Sequence, residues 1–224
     1  MKKLLYLLAA GLFLTGLAAC AAKPEEPAST TVTTSAEINE TELYEEFLES
    51  REWALMEDGA GDLSEWDFEL AAQKIFDFDG DGVDELWIEA SEPGGFDLFS
   101  GLYTIESAQV KELLSGYVTG GSIGGNCVVA YYDTQTQQHI VSLVGYAGGI
   151  GGGGGVRYGT YYEYENGQLR EVLDLKLESL YGREPVYTVN GEQVTEEKYN
   201  QTLARLTKPT DETFLLGKNP LDWE

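Results

Sequence analysis

Tyr162-Glu-Tyr164-Glu-Asn166-Gly167-Gln-Leu169-Arg170-Glu171-Val172-Leu173 is the stretch that decides the fold. Its Asn-Gly pair supplies the two left-handed residues of a tight turn, and strand-forming residues lie on both sides of the pair. The apolar alternation continues through Leu175 and Leu177, as expected for a strand with one face in water. This stretch therefore predicts a β-hairpin.

Similar patterns predict further strands on both sides of this hairpin. The segment from Tyr103 to Leu114 matches it at several positions and indicates a weak internal repeat. The apolar runs Val128–Tyr132 and Ile140–Val144 flank a polar turn, and a second Asn-Gly pair lies between Tyr187 and Val194. Leu86-Trp87-Ile88 is also typical of a strand.

Helical spacing marks the two ends of this β-rich region. From Thr41 to about Met56, apolar residues recur as in an amphipathic helix, and Asn39 and Glu42 are placed as in a capping box. The apolar stripe favours packing on the core over a partner surface. Thr195 is placed to cap a terminal helix. In that helix Tyr199, Leu203 and Leu206 are expected to share a face.

The sequence thus predicts an α+β fold, an antiparallel β meander of hairpins with an N-terminal and a C-terminal amphipathic helix. A single domain of this class is expected over residues 41–224. No second boundary is visible, and the length suffices for one proper core.

An acidic segment precedes the predicted strand at Leu86-Trp87-Ile88. Its sequence is Asp77-Phe-Asp79-Gly-Asp81-Gly82-Val83-Asp84-Glu85-Leu86. Alternating carboxylates repel one another unless a cation neutralises them, and oxygen-only ligands suit Ca²⁺. The expected ligands are Asp77, Asp79, Asp81, the Val83 carbonyl and Glu85. A calcium hand is disfavoured because Ile88 stands where that loop needs a bidentate glutamate. An acidic turn that needs no metal is the alternative.

The acidic segment resembles the DxDGDGxxDL calcium loops of FG-GAP and VCBS repeats, in which such a turn joins strands. The resemblance implies the same five ligands, at Asp77, Asp79, Asp81, Val83 and Glu85. A full propeller is not expected, because one such loop and this chain length do not provide several blades.

The N-terminus has the pattern of an export signal, with Lys2 and Lys3 before an apolar run that ends at Leu17. Residues 1–19 are expected to be a signal peptide. Leu17-Ala18-Ala19-Cys20 resembles the lipobox of bacterial lipoproteins of Gram-positive type, which implies cleavage before Cys20 and lipidation of that cysteine. An ordinary secretory signal or an uncleaved anchor with a coincidental cysteine is the alternative. Residues 20–40 are expected to be the lipidated cysteine and a disordered tether.

The formal net charge of −25 disfavours nucleic acid and anionic headgroups as partners of the globular part. Because of the export signal and the lipobox-like cysteine, the expected localisation is extracytoplasmic, with attachment to the cell membrane through the lipid at Cys20. Cys127 is then the remaining cysteine and is expected to be a buried, unreactive thiol.

Other features allow two interpretations. The glycine-rich segment from Gly148 to Gly155 lacks the Lys-Ser/Thr ending of a phosphate loop and favours a connection between strands. The single histidine, His139, has no recognisable nucleophile motif beside it. Tyrosines fit a β-sheet by propensity alone, but on an exposed face they would bind sugars or proteins. The residues of that candidate ligand surface are Tyr131, Tyr146, Tyr158, Tyr162 and Tyr164.

Two functions follow as hypotheses. The first is a surface-anchored, calcium-binding, non-enzymatic lipoprotein that binds a glycan or an envelope protein. The alternative is an envelope hydrolase of glycosidase type that uses carboxylates near the acidic loop. A purely structural envelope protein is a third reading.

Overall fold

The computed structural model describes residues 39–54, 67–93, 97–119, 124–148 and 154–216. The predicted signal peptide, Cys20 and nearly all of the predicted tether lie outside the described residues, as do residues 149–153 of the glycine-rich segment. The domain boundaries and the lipidation site therefore remain predictions. No helix in the described ranges is long and apolar enough to span a membrane.

The described residues form mainly one antiparallel sheet in which consecutive strands are neighbours, and this confirms the α+β meander. Helix α1 (Glu40–Ser50) precedes the sheet, and helix α2 (Glu196–Leu203) follows its tenth strand. Strand β11 (Leu206–Thr207) returns to pair with β5. The other strands are β1 (Glu69–Phe76), β2 (Glu85–Ser91), β3 (Leu98–Glu106), β4 (Gln109–Thr119), β5 (Gly124–Asp133), β6 (Gln138–Gly148), β7 (Gly154–Glu165), β8 (Gln168–Leu180), β9 (Val186–Val189) and β10 (Glu192–Val194).

The Asn-Gly turns are confirmed by their backbone angles. Asn166 and Gly167 have φ of 53° and 72°, which joins β7 to β8 by a tight left-handed turn. The β3–β4 turn has the same conformation at Ser107 and Ala108, with φ of 55° and 61°. Left-handed backbone costs such residues roughly 1–2 kcal/mol each, so the fold imposes this turn against local preference.

The sheet folds over at the junction between β4 and β5. These strands pair only through Val118 with Gly125 and Thr119 with Gly124. A Cβ on Gly124 would lie 1.9 Å from the Tyr146 carbonyl oxygen, so a side chain is excluded there. Beyond the junction, Ser100 of β3 accepts a hydrogen bond from the Val128 N–H of β5, 2.8 Å away. Strands β1–β3 therefore face β5–β7.

Three apolar clusters pack between and outside the two halves of this folded sheet. The inner cluster lies between the two facing halves and contains Trp87, Leu102, Val128 and Tyr164. Helix α1 covers one outer face. Helix α2 covers the other, where Tyr199 joins residues of β5 to β8. The helices and the sheet halves thus form four layers.

Both helices are shorter than their apolar patterns predict. Helix α1 ends at Ser50, because Arg51 adopts a left-handed conformation and a 3₁₀ turn, Glu52–Ala54, follows. Residues 55 and 56 lie outside the described residues. Helix α2 ends at Leu203, which is 41% exposed. The prediction that Leu206 lies on this helix is wrong, because that residue pairs with Asp133 of β5.

We expect Leu102→Ala to lower the free energy of unfolding by about 2–5 kcal/mol, because Leu102 has no exposed area and lies between the two halves of the sheet. Chemical denaturation measures this change. Leu70→Ala is the matched control, since Leu70 is 37% exposed and its removal should cost about 0.5 kcal/mol or less. Equal losses in the two variants would contradict the assignment of the inner core.

Candidate metal centre

The acidic segment forms the β1–β2 turn, and its own side chains hold the backbone. Asp77 Oδ1 accepts hydrogen bonds from the N–H groups of Gly80 and Asp81, at 2.7 and 3.1 Å. Asp77 Oδ2 accepts one from Gly82 at 3.1 Å. Gly80 and Gly82 have left-handed backbone conformations, with φ of 80° and 90°, so this tight turn favours glycine at both positions.

Three carboxylates of this turn converge. Asp77, Asp79 and Glu85 each bring one oxygen to a group in which all three oxygens lie within 4.8 Å of one another. Calcium–oxygen distances are about 2.3–2.6 Å, so two ligands on opposite sides of one ion lie about 5 Å apart. The three oxygens can therefore share one metal ion, and their geometry leaves open which metal it is.

Glu85 is the buried member of this cluster and has no exposed area. Its Oε2 accepts the Phe78 N–H at 2.7 Å, and its Oε1 accepts the hydroxyls of Thr104 and Tyr164 at 3.3 and 3.0 Å. Burial raises the pKa of Glu85 to about 7, although these hydrogen bonds oppose the rise. Because all three partners are neutral, the buried carboxylate needs a proton or a metal ion to balance its charge.

Asp79 provides an independent observation that favours a cation. Its Oδ2 is buried and has no hydrogen-bond partner in the described part of the chain. Burial, followed by the charge of Asp81, raises the pKa of Asp79, whereas the backbone N–H groups of Asp81, Asn166 and Gly167 oppose the rise. A buried carboxylate oxygen without a well-formed hydrogen bond is costly, and a metal ion would supply the missing interaction. The donor set thus fits a hard cation.

The structure gathers some of the predicted ligands and leaves others apart. Asp81 lies outside the group of three and is exposed, and its Oδ1 accepts the Val83 N–H at 2.8 Å. Val83 and Asp81 line a neighbouring cavity of about 230 Å³, next to the β7–β8 turn. The role of the Val83 carbonyl as a ligand stays a prediction.

Distant strands support the cluster in ways that the sequence does not reveal. Tyr164, which bonds Glu85, is 79 residues away in the chain. The Tyr44 hydroxyl of α1 donates to the Asp84 carbonyl at 2.6 Å. Phe214, near the C-terminus, packs on Phe78 with ring centroids 5.6 Å apart. No motif marks these contacts, so they could be found only from the fold.

The five tyrosines of the predicted ligand surface do not form one exposed face. Tyr131 and Tyr164 are buried, at 8% and 6% exposure, and Tyr146 is 37% exposed. Tyr162 and Tyr164 belong to the inner cluster, whereas Tyr131 packs on the α2 side. Tyr158 is half-buried, and its hydroxyl donates to the Gly125 carbonyl at 3.3 Å. The expectation of a shared solvent-facing surface is therefore wrong, because Tyr131 of β5 is covered on the α2 side whereas Tyr164 of β7 is buried in the inner cluster.

Two other expectations concern single residues. Cys127 is a free cysteine with 1% exposure, which confirms a buried thiol, and burial raises its pKa. The His139 ring stacks on Phe214, with ring centroids 3.7 Å apart. Burial lowers the His139 pKa, so the half-buried imidazole favours its neutral form.

Comparison with known proteins does not provide a relative for this chain. No protein-family model matches it, no curated protein matches it, and no solved structure matches it. The chemistry of the described side chains is therefore the basis for assigning a role.

We expect the stability of the metal-free protein to fall as the pH rises from about 4.5 to 7, through a contribution of Glu85. Folded Glu85 keeps its proton up to about pH 7, whereas in the unfolded chain it ionises near pH 4.5. The stabilisation is thus fully present below the lower pH and is lost above the higher one. Its size is about 3 kcal/mol.

Denaturation at several pH values, with a chelator present, measures this contribution as the difference between the native protein and Glu85→Gln. The matched control is Glu192→Gln at the exposed start of β10, which should keep the native pH profile. An unchanged profile in Glu85→Gln would contradict the assignment of a proton to the buried carboxylate.

Proposed function

We propose that this protein is a surface-anchored, calcium-binding, non-enzymatic lipoprotein that acts as a binding or interaction module of the cell envelope. The observation that carries the proposal is the convergence of Asp77, Asp79 and Glu85 around one point, with a buried Asp79 oxygen that has no well-formed hydrogen bond to a described residue. Calcium is the proposed ion because every side-chain donor is oxygen and the turn follows a calcium-loop spacing.

The proposed role of the ion is structural. Glu85 begins β2, whereas its partner Tyr164 lies on β7, in the opposite half of the folded sheet. An ion at the cluster would neutralise a carboxylate that otherwise carries an uncompensated charge between the halves. The halves would then be held in the arrangement that builds the outer faces.

The envelope location rests on the N-terminal sequence. The lipobox-like Leu17-Ala18-Ala19-Cys20 supports a lipid anchor, and the polar tether after it would hold the globular part away from the membrane. The net charge of −25 supports a partner other than nucleic acid or an anionic headgroup surface. A glycan or an envelope protein is the proposed class of partner.

The alternative, a carboxylate-dependent hydrolase, has weaker support. Asp79 and Glu85 do have raised pKa values, as catalytic acids often do. Glu85, however, has no exposed area, so it could not protonate a glycosidic oxygen of a bound substrate without movement of the turn. Their position in one oxygen cluster favours a cation over a reaction.

We expect calcium to bind at about 0.1–1 mM, as in extracellular modules. At 100 times the dissociation constant it should add about 2.7 kcal/mol to stability, which raises the melting temperature by about 5–10 °C. Calorimetric titration and thermal melts, with calcium and with a chelator, measure the two effects. An unchanged midpoint together with no heat of binding at millimolar calcium would refute the proposal.

The Asp79→Asn variant distinguishes a turn that binds an ion from a turn that needs no metal. Without calcium this variant should be as stable as the native protein or more stable, because a buried charge is removed. With calcium it should be less stable than the native protein. Asp84→Asn, in the same turn but outside the cluster, is the control and should keep the calcium response.

We expect Cys20→Ser to abolish lipid attachment. Metabolic labelling with a radioactive fatty acid, followed by phase separation in detergent, measures acylation and membrane association. Cys127→Ser is the control and should remain labelled, because the buried Cys127 thiol is not the proposed acceptor. Labelling that persists in Cys20→Ser would contradict the proposed anchor.

A further inference from the structure

A cavity of about 460 Å³ lies between α2 and the outer face of β5, β7, β8 and β9. This volume is in the range of small-molecule sites, which is roughly 300–1,000 Å³. The cavity lies on the α2 side of the sheet, because Tyr131, Tyr161 and Tyr199 of its lining belong to the outer cluster under α2. The acidic cluster, in contrast, meets the inner side of β7 through Tyr164.

Two pairs of tyrosines line the cavity. The Tyr131 and Tyr161 rings meet edge to face with centroids 5.6 Å apart, and the Tyr187 and Tyr199 rings lie 5.4 Å apart. Tyr131, Tyr161 and Tyr199 are 8%, 3% and 8% exposed and form the packed inner wall, whereas Tyr187 is half-buried and is the ring that a ligand can contact. A tyrosine ring has an apolar face and a hydroxyl that can donate or accept a hydrogen bond. The walls therefore suit a ligand that is itself apolar on its faces and polar at its edges.

Glycine at one position of β7 shapes the floor of this cavity. A Cβ on Gly159 would lie 2.8 Å from the Tyr161 hydroxyl oxygen, which means that the Tyr161 ring leans over the glycine. The adjacent floor is Leu175, which is 1% exposed. Tyr161 itself is 3% exposed, so its ring is part of the packed floor of the cavity.

The charges at this cavity differ in sign from the chain as a whole. The protein has 14 basic residues against 39 acidic ones, yet two of the basic residues, Arg157 and Lys208, line this one cavity. Arg157 is exposed and forms no ion pair with any described residue. The acidic residue of the lining, Glu196, interacts with the Tyr187 hydroxyl. An anionic group would therefore meet a cation that is available to it.

We propose that this cavity binds an acidic saccharide, with a sugar ring against Tyr187 and the sugar carboxylate on the Arg157 guanidinium. Tyrosine rings pack on the C–H faces of a sugar ring, and the guanidinium is a planar fork that fits a carboxylate. The Asn200 side-chain amide lines the cavity and can form hydrogen bonds with the sugar hydroxyls. This assignment rests on the proposed binding role and names its site and the class of its ligand.

The test is calorimetric titration of the full chain, purified in detergent, with a hexuronic acid disaccharide. The probes for comparison are the same disaccharide as its methyl ester, which is neutral, and benzoate, an aromatic acid without hydroxyls. We expect the uronate to bind best. The dissociation constant should rise about tenfold or more in Arg157→Gln, because a charge-assisted contact is lost.

Two matched pairs of variants separate the cavity from general effects. Arg183→Gln removes an exposed arginine in the turn after β8, outside the cavity, and should keep native affinity. Leu203→Glu places a negative charge at the cavity and should abolish binding, whereas Leu215→Glu makes the same change elsewhere. Both leucines are 41% exposed, so neither change should prevent folding.

Several outcomes would overturn the assignment. These are the absence of uronate binding at millimolar concentration, equal binding of the neutral ester, stronger binding of benzoate, or native affinity in both Arg157→Gln and Leu203→Glu. A glycan array and an envelope pulldown with the same protein distinguish the two proposals. A partner that binds equally to the cavity variants would support the binding module but refute this cavity as its site. Uronate binding without any calcium binding would refute the proposed ion but support the site.

Discussion

The structure depends on one buried carboxylate. Glu85 begins the second strand with no exposed area and accepts hydrogen bonds only from neutral donors. One of these donors, Tyr164, belongs to the opposite half of the folded sheet. A buried charge in that position is destabilising, so the junction between the halves is stable only when a proton or a cation neutralises it. Because Asp77 and Asp79 converge on the same point, a cation neutralises the cluster better than a proton does at neutral pH.

The four layers separate two kinds of surface. The acidic turn stabilises the interior contact between the halves, while the tyrosine-lined cavity lies on an outer face under a helix of only eight residues. Because that helix is short, it leaves part of the sheet uncovered and the basic side chain of Arg157 accessible. A stabilising ion and a binding site can therefore coexist in one small domain without sharing residues.

Local signals could be predicted from the sequence, and contacts between distant strands could not. The hairpin at Asn166-Gly167 was predictable, because the left-handed turn is a preference of those two residues. The turn at Ser107 has the same shape without that signal, since packing imposes it. In the acidic segment, spacing alone predicted Asp77, Asp79 and Glu85. Tyr164 was predicted on an exposed surface, because nothing in the sequence reveals which face of β7 closes on Glu85.

The strand order has a consequence for the order of assembly. Neighbouring strands are also consecutive in the chain, so most pairings join residues that are close in sequence and close only small loops. The contact between Tyr164 and Glu85 spans 79 residues and depends on both halves. Individual hairpins can therefore form early, whereas the acidic pocket is completed only when the sheet shuts. An ion that binds the cluster would then be taken up at the last step of folding and would oppose the reopening of the two halves.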